Sequence, residues 1–167
     1  TRSSVSKTTA LPRAWTMATG KAVAVDAGVG STATKLAWHP DGRTLAVGAE
    51  DGVHLFRRRA DGSLKAGRVL TGHAGTVWAL AFAADGTLLT GAEDHEVRQW
   101  RIADGASLGR WYLDGPVWAV AASPGGHLIA TGGVDQSLKV KNPVRLWARS
   151  AGALPGQAAA YPHTVFP

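Results

Sequence analysis

The chain has no cysteine, which removes disulfides, thiol catalysis and cysteine-based zinc sites from consideration. No stretch approaches the roughly 18 apolar residues of a membrane-crossing helix, and the polar start TRSSVSKTT has no signal-peptide core. Apolar positions at i, i+3, i+4 and i+7 are also missing, so helical repeats are not expected. Acidic residues are in the minority, 12 against 18 Lys and Arg, giving a net charge of +6 and a pI near 10.2. That balance permits acidic partners, but the positive charge is dispersed. Its densest points are Arg57, Arg58 and Arg59, which read as a solvated strand connection, and the group Lys139, Lys141 and Arg145. Nucleic acid and membrane surfaces are therefore not expected partners.

What the chain does have is a block of about twenty residues that recurs three times. It reads AWHPDGRTLAVGAEDGVHLF from Ala37, AFAADGTLLTGAEDHEVRQW from Ala81, and AASPGGHLIATGGVDQS from Ala121, the last closing late on VRLW at Trp147. Each copy is an apolar run, a turn on Asp-Gly or Gly-Gly, a second run closing on Gly, an acidic turn, and a third run ending in an aromatic. Gly and Asp supply turn dihedrals that bulky residues resist, so this order predicts three short antiparallel strands joined by hairpins. The closing aromatics Trp15, Phe56, Trp100 and Trp147 stand 41, 44 and 47 residues apart. A period of about 40 to 45 residues with four short strands is that of a β-propeller blade. The longest interval contains an insertion, Leu138 to Pro143. Two registers are open there, because Ser137 to Val140 is also a possible third strand.

These residues resemble the WD-repeat propellers. The second copy matches best, with Gly72-His73 before the first strand, Thr90 in the second, Asp94 in the next turn and Trp100 ending the third. The resemblance implies a structural tetrad of His73, Thr90, Asp94 and Trp100, in which Asp94 and Thr90 orient the imidazole and His73 bonds the indole N–H. A buried indole and a buried imidazole both need partners. Copy three keeps Thr131, Asp135 and Trp147, a partial tetrad with Leu113 at the His position. Copy one has Val29, Val47 and Phe56 in place of His, hydroxyl and Trp, and keeps only Asp51, so no tetrad is expected there.

The expected fold is therefore all-β: a propeller segment of about three four-stranded antiparallel blades, spanning approximately 26–66, 67–109 and 110–150, after the end of a preceding blade in 1–25. The stretch 151–167, with Pro155, Pro162 and Pro167, reads as an irregular tail. Closed propellers use typically four to eight blades, so a chain of 167 residues is expected to be a fragment or to assemble with other copies, and Thr1 in place of Met favours a fragment.

Three enzyme-like patterns have simpler readings. Gly28-x-Gly30-x-x-Ala33 after an apolar run, with Glu50 and Asp51 about twenty residues on, imitates a dinucleotide fingerprint. That motif must open a long helix, whereas Trp38-His39-Pro40-Asp41-Gly42 breaks the chain within ten residues. Thr90, His73 and Asp94 have the residue types of a catalytic relay, but nucleophilic catalysis needs an exposed hydroxyl beside an oxyanion hole. His39, His54, His95, His127 and His163 form no close pair at a ligand spacing, so no metal, cofactor or catalytic residue is expected.

Recognition remains. Trp78 and Trp118 occupy the same place in Val77-Trp78-Ala79-Leu80 and Val117-Trp118-Ala119-Val120. The resemblance implies that this strand start lies near the channel mouth, together with Glu93, Val134 and the insertion bearing Lys139 and Lys141. Large aromatics favour interface hot spots. The expected function is a non-catalytic cytoplasmic platform for a protein or peptide, with Trp78, Trp118, Glu93, Lys139 and Lys141 as contacts. Its rivals are the regulatory part of a larger enzyme and a basic nucleic-acid-binding propeller.

Overall fold

The computed structural model describes residues 13–26, 28–134 and 144–148. Among these there is no helix, and the strands form four antiparallel groups. A short hairpin joins β1 (Ala14–Trp15) to β2 (Ala22–Val23). The first blade runs in order through β3 (Ala33–Trp38), β4 (Thr44–Ala49), β5 (Gly52–Arg58) and β6 (Leu64–Leu70). The second contains β7 (Val77–Phe82), β8 (Leu88–Ala92), β9 (Glu96–Arg101) and β10 (Ala106–Tyr112). The third has three strands among the described residues, β11 (Val117–Ala122), β12 (Leu128–Gly133) and β13 (Val144–Ala148). The all-β expectation and the blade order hold.

Local chemistry explains the hairpins. The turns between the first two strands of each blade place Gly42, Gly86 and Gly126 at φ 66, 79 and 70°, where a Cβ would be strained. Asp41 and Asp85 accept backbone N–H bonds from Arg43 and Thr87 at 2.7 and 3.0 Å, closing the turns as Asx motifs. The third blade lacks that Asp, and Ser123 Oγ instead accepts the N–H of Leu128 at 3.0 Å.

The register at the insertion is now defined. Val144–Ala148 pairs with β12, setting Trp147 opposite Ile129 just as Trp100 lies opposite Leu88 in the second blade. The outer strands β6 and β10 extend to Leu70 and Tyr112, past the divisions read at 66/67 and 109/110. Gly67 and Gly109 are residues of these outer strands.

Two apolar cores hold the blades. Ala46, Val53, Leu55 and Leu70 of the first blade pack with Val77, Leu80, Leu88, Ala92 and Trp100 of the second. Val29, Leu45, Val47, Phe56 and Leu64 form the other core, beneath Ala14, Val23 and Val25 of the leading hairpin. The hairpin is fastened by Asp26, whose carboxylate accepts the N–H of Ala66 at 2.7 Å and pairs with Arg59 at 3.0 Å. Val29 is wholly buried there, and the chain beyond Gly30 enters β3 rather than a helix, which leaves the dinucleotide pattern without its required context.

Candidate functional site

The loop before β7, the second strand β8, the following turn and the third strand β9 each contribute one side chain to a polar chain inside the second blade. Thr90 and Trp100 alternate inward from their strands and are buried to 0% and 2% exposure. His73 enters from the preceding loop. Its Nδ1 lies 2.9 and 3.1 Å from the Asp94 carboxylate oxygens, and its Nε2 lies 2.6 Å from Thr90 Oγ1. Trp100 Nε1–H donates to the same hydroxyl oxygen at 2.9 Å. One proton assignment satisfies every group: indole to Thr90 oxygen, Thr90 O–H to Nε2, and Nδ1–H to Asp94.

This order corrects one detail that the resemblance implied. Trp100 bonds Thr90, not His73, because a hydroxyl can donate and accept together and so bridges two groups that each need a partner. Burial pushes His73 below its usual pKa against the opposing pull of Asp94, consistent with a neutral ring. Burial would raise Asp94, but the N–H groups of Ala74 and Glu96 and the imidazole of His73 outweigh it and hold the carboxyl below its ordinary range. The trio of hydroxyl, imidazole and carboxylate is thus internally spent, with the hydroxyl inaccessible to a substrate.

The other blades vary the theme. Trp147 Nε1–H donates to Thr131 Oγ1 at 3.0 Å, and Thr131 is 2% exposed. Leu113 is part-buried and described, while Asp135 lies outside the described residues. In the first blade Val29, Val47 and Phe56 replace the polar chain with close packing. The retained Asp51 instead accepts from Ser31 Oγ at 2.7 Å and meets His54 Nε2 at 2.9 Å.

Sequence reasoning missed a second polar layer. Arg98 Nε donates to Glu96 Oε2 at 2.6 Å, and the guanidinium carbon lies 5.8 Å from the Trp100 ring centre. His54, Arg98 and Arg145 share one register, opposite Val47, Thr90 and Thr131, and each stands two residues before its blade's closing aromatic. Each meets a carboxylate: Asp51, Glu96 and Asp114. His73, Asp94 and Glu96 bring ligand atoms within 4.8 Å of one another, but their atoms already engage Thr90, backbone N–H groups and Arg98, so an ion would have to displace these bonds.

Two exposed tryptophans lie at the end of the blades where the inner strands begin. The pairing of β7 with β8 shifts between Val77 and Ala79, and that of β11 with β12 between Val117 and Ala119. Trp78 and Trp118 are therefore bulge residues, turned out of the ladder. They are 42% and 51% exposed, although Val77 and Val117 beside them are fully buried. Thr34 is the bulge residue of the first blade, and its hydroxyl donates to the carbonyls of Gly48, at 3.0 Å, and Val77. Glu93 is exposed and its N–H bonds Thr76 at the same end, and Val134 N–H bonds Pro116 in the matching place. Lys139 and Lys141 lie outside the described residues.

Comparison with known proteins agrees with this architecture. The model of the WD domain, G-beta repeat, matches residues 26–53, 64–101 and 109–140. Eukaryotic translation initiation factor 3 subunit I of Coccidioides immitis is 37% identical over 86 residues, covering 50% of this chain and 24% of that protein. The same subunit of Aspergillus oryzae gives 37% identity over 86 residues. The chain thus spans about a quarter of the length of the curated relatives it matches. Among solved structures, the β-propeller domain of Cps50 (Swd1) from Myceliophteria thermophila superposes with a TM-score of 0.58 at 21% identity, covering 71% of this chain and 36% of that one. At that identity the likeness concerns the fold. With repeats matched over more than half its length and blades built in the same strand order, the chain belongs to the WD-repeat β-propeller family.

Proposed function

We propose that this chain is a non-catalytic platform that binds a protein or peptide segment at the end of the blades where Trp78 and Trp118 emerge. The observation that carries the reading is their shared geometry. Two large aromatics stand exposed at equivalent bulges of adjacent blades, each anchored by a fully buried valine on its N-terminal side. Such side chains are held before a partner arrives, so binding orders little else. Glu93 adds a negative rim, and Lys139 and Lys141 belong to the proposed contact set by sequence position alone.

The relatives support a partner of protein type, since their name describes a subunit of a translation initiation factor. A cytoplasmic setting accompanies this reading. The test is to select peptides against the chain from a displayed library and measure their affinity for wild type and for the Trp78→Ala, Trp118→Ala double variant. Loss of at least about tenfold, the scale of a hot-spot aromatic, is expected, with weak dependence on salt. Equal affinity for both proteins would contradict the assignment. A steep fall of affinity with salt would move the contact to the basic residues.

A further inference from the structure

The basic run Arg57-Arg58-Arg59 is divided among three surroundings. Arg59 pairs with Asp26 at 3.0 Å, and Arg58 lies opposite Leu64, on the face of the first blade that the leading hairpin covers. Arg57 continues the alternation of Val53 and Leu55 along β5 on the other face, the one packed against the second blade, and Lys65 stands directly opposite it. Arg68 shares this face with Leu70: a Cβ on Gly105 of the second blade would stand 2.7 Å from Arg68 Cδ and 3.3 Å from Leu70 Cδ2. Arg57, Lys65 and Arg68 are exposed, and among the described residues none of them has a carboxylate partner.

The second blade has a balanced version of the same position. Arg101 holds the place of Arg57, one residue after the closing aromatic, and Asp104 takes its guanidinium at 3.0 and 2.9 Å. Ala106, opposite Arg101, carries no charge. In the first blade Asp61 instead accepts the N–H and the hydroxyl of Ser63, at 2.8 and 2.6 Å, and Lys65 adds a second positive charge across the ladder from Arg57. Like charges directly opposite destabilise a strand pair, so the free chain bears a cost that a bound anion removes. Of the chain's 12 acidic residues Asp135 alone lies outside the described ones, so the remaining stretches add almost no negative charge.

We propose that Arg57, Lys65 and Arg68 form a docking site for a short acidic segment of a partner protein, separate from the end of the blades where Trp78 and Trp118 emerge. Charge complementarity selects the segment, and the turn at Gly105, packed on the Arg68 stem, holds one of the three cations in place. An extended chain presents a side chain to one side about every 7 Å, a spacing that cations on two neighbouring strands can meet. Nucleic acid fits less well. Its charge runs on at one phosphate per about 1.7 Å of duplex, whereas the turns at this end of the two blades carry Asp41, Asp61, Asp85 and Asp104. Trp38, the type of side chain on which a base stacks, lies opposite Leu45 on the hairpin face.

Fluorescence anisotropy tests this with three labelled probes: a short peptide of alternating Glu and Ser, the same peptide with Gln for Glu, and an oligothymidylate. The acidic peptide is expected to bind and its Gln counterpart is not. The Arg57→Gln, Lys65→Gln double variant should weaken the acidic peptide about fivefold, the scale of two exposed ion pairs. Its melting temperature should hold or rise, because the repulsion across the ladder is relieved. The Lys21→Gln, Arg110→Gln double variant makes the same change in net charge at two other exposed positions and should leave the affinity unchanged. So should Trp78→Ala with Trp118→Ala, which separates this site from the tryptophan platform. Equal weakening by the two Gln pairs would reduce the effect to net charge and overturn the proposal, as would no binding at millimolar peptide. A lower melting temperature with unchanged affinity would make Arg57 and Lys65 structural and overturn it too. An oligothymidylate held more tightly than the acidic peptide, and released by the Arg57 and Lys65 substitutions, would assign the site to nucleic acid instead.

Discussion

Thr90 stands between His73 and Trp100, 2.6 Å from the imidazole Nε2 and 2.9 Å from the indole Nε1. The hydroxyl is the hinge of the polar chain, since removing it orphans two buried groups together. Thr90→Val should therefore destabilise the chain by about 1–3 kcal/mol, the cost of leaving buried polar groups unpaired, and urea denaturation at neutral pH measures it.

The first blade shows that the same space can be filled without polar atoms. Val29, Val47 and Phe56 sit at the places of His73, Thr90 and Trp100, and all three are buried. Replacing all polar partners by apolar groups of fitting shape approaches neutrality where single removals do not. The triple variant His73→Val, Thr90→Val, Trp100→Phe should cost clearly less than the sum of its single variants, because residues of one network are not additive. A sum equal to the singles would show three independent sites.

Acid should weaken the second blade in two stages. Burial lowers the pKa of His73 from its ordinary 6.5, so the native state binds fewer protons than the unfolded chain near that pH. Its stabilising contribution is full above 6.5 and declines as the pH falls below it toward the lowered native value. Asp94 behaves alike further down: its contribution is full above its unfolded 3.8 and is lost as the pH falls toward the lower native value. Stability measured from about pH 7.5 to 5.5 should fall less steeply in His73→Gln than in wild type. Parallel slopes would mean that His73 does not titrate with folding.

His95 follows Asp94 in the acidic turn and has φ 68°, the single described non-glycine residue with a left-handed backbone, while Gly52 fills the matching place after Asp51. A glycine adopts this region without steric cost. His95→Gly should thus hold or raise the melting temperature despite the greater freedom it gives the unfolded chain, whereas Gly52→Ala should lower it, since a Cβ there would stand 2.6 Å from the Leu70 carbonyl oxygen. Paired thermal melts distinguish the two.

Much of this architecture was legible in the sequence because it is local. Asp-Gly turns and a closing aromatic mark each blade, and His73, Thr90, Asp94 and Trp100 appear in order. Placement across the sheet was not legible. Whether Ser137 to Val140 or Val144 to Trp147 forms the third strand depends on pairing with Ile129, a contact between distant residues. The hydroxyl bridge at Thr90 depends on side-chain angles, and the Arg98–Glu96 layer only becomes visible once Arg98 is known to lie opposite Thr90. The exposure of Trp78 and Trp118 is likewise a product of two bulges, which the run Val-Trp-Ala does not announce.

The platform reading is tested most directly by following the indole N–H signals of the seven tryptophans in a 15N spectrum while a selected peptide is added. The account predicts that Trp78 and Trp118 shift on saturation, while Trp100, tied to Thr90 in the interior, stays in place and protected from exchange. Shifts at other tryptophans, with Trp78 and Trp118 unmoved, would contradict it.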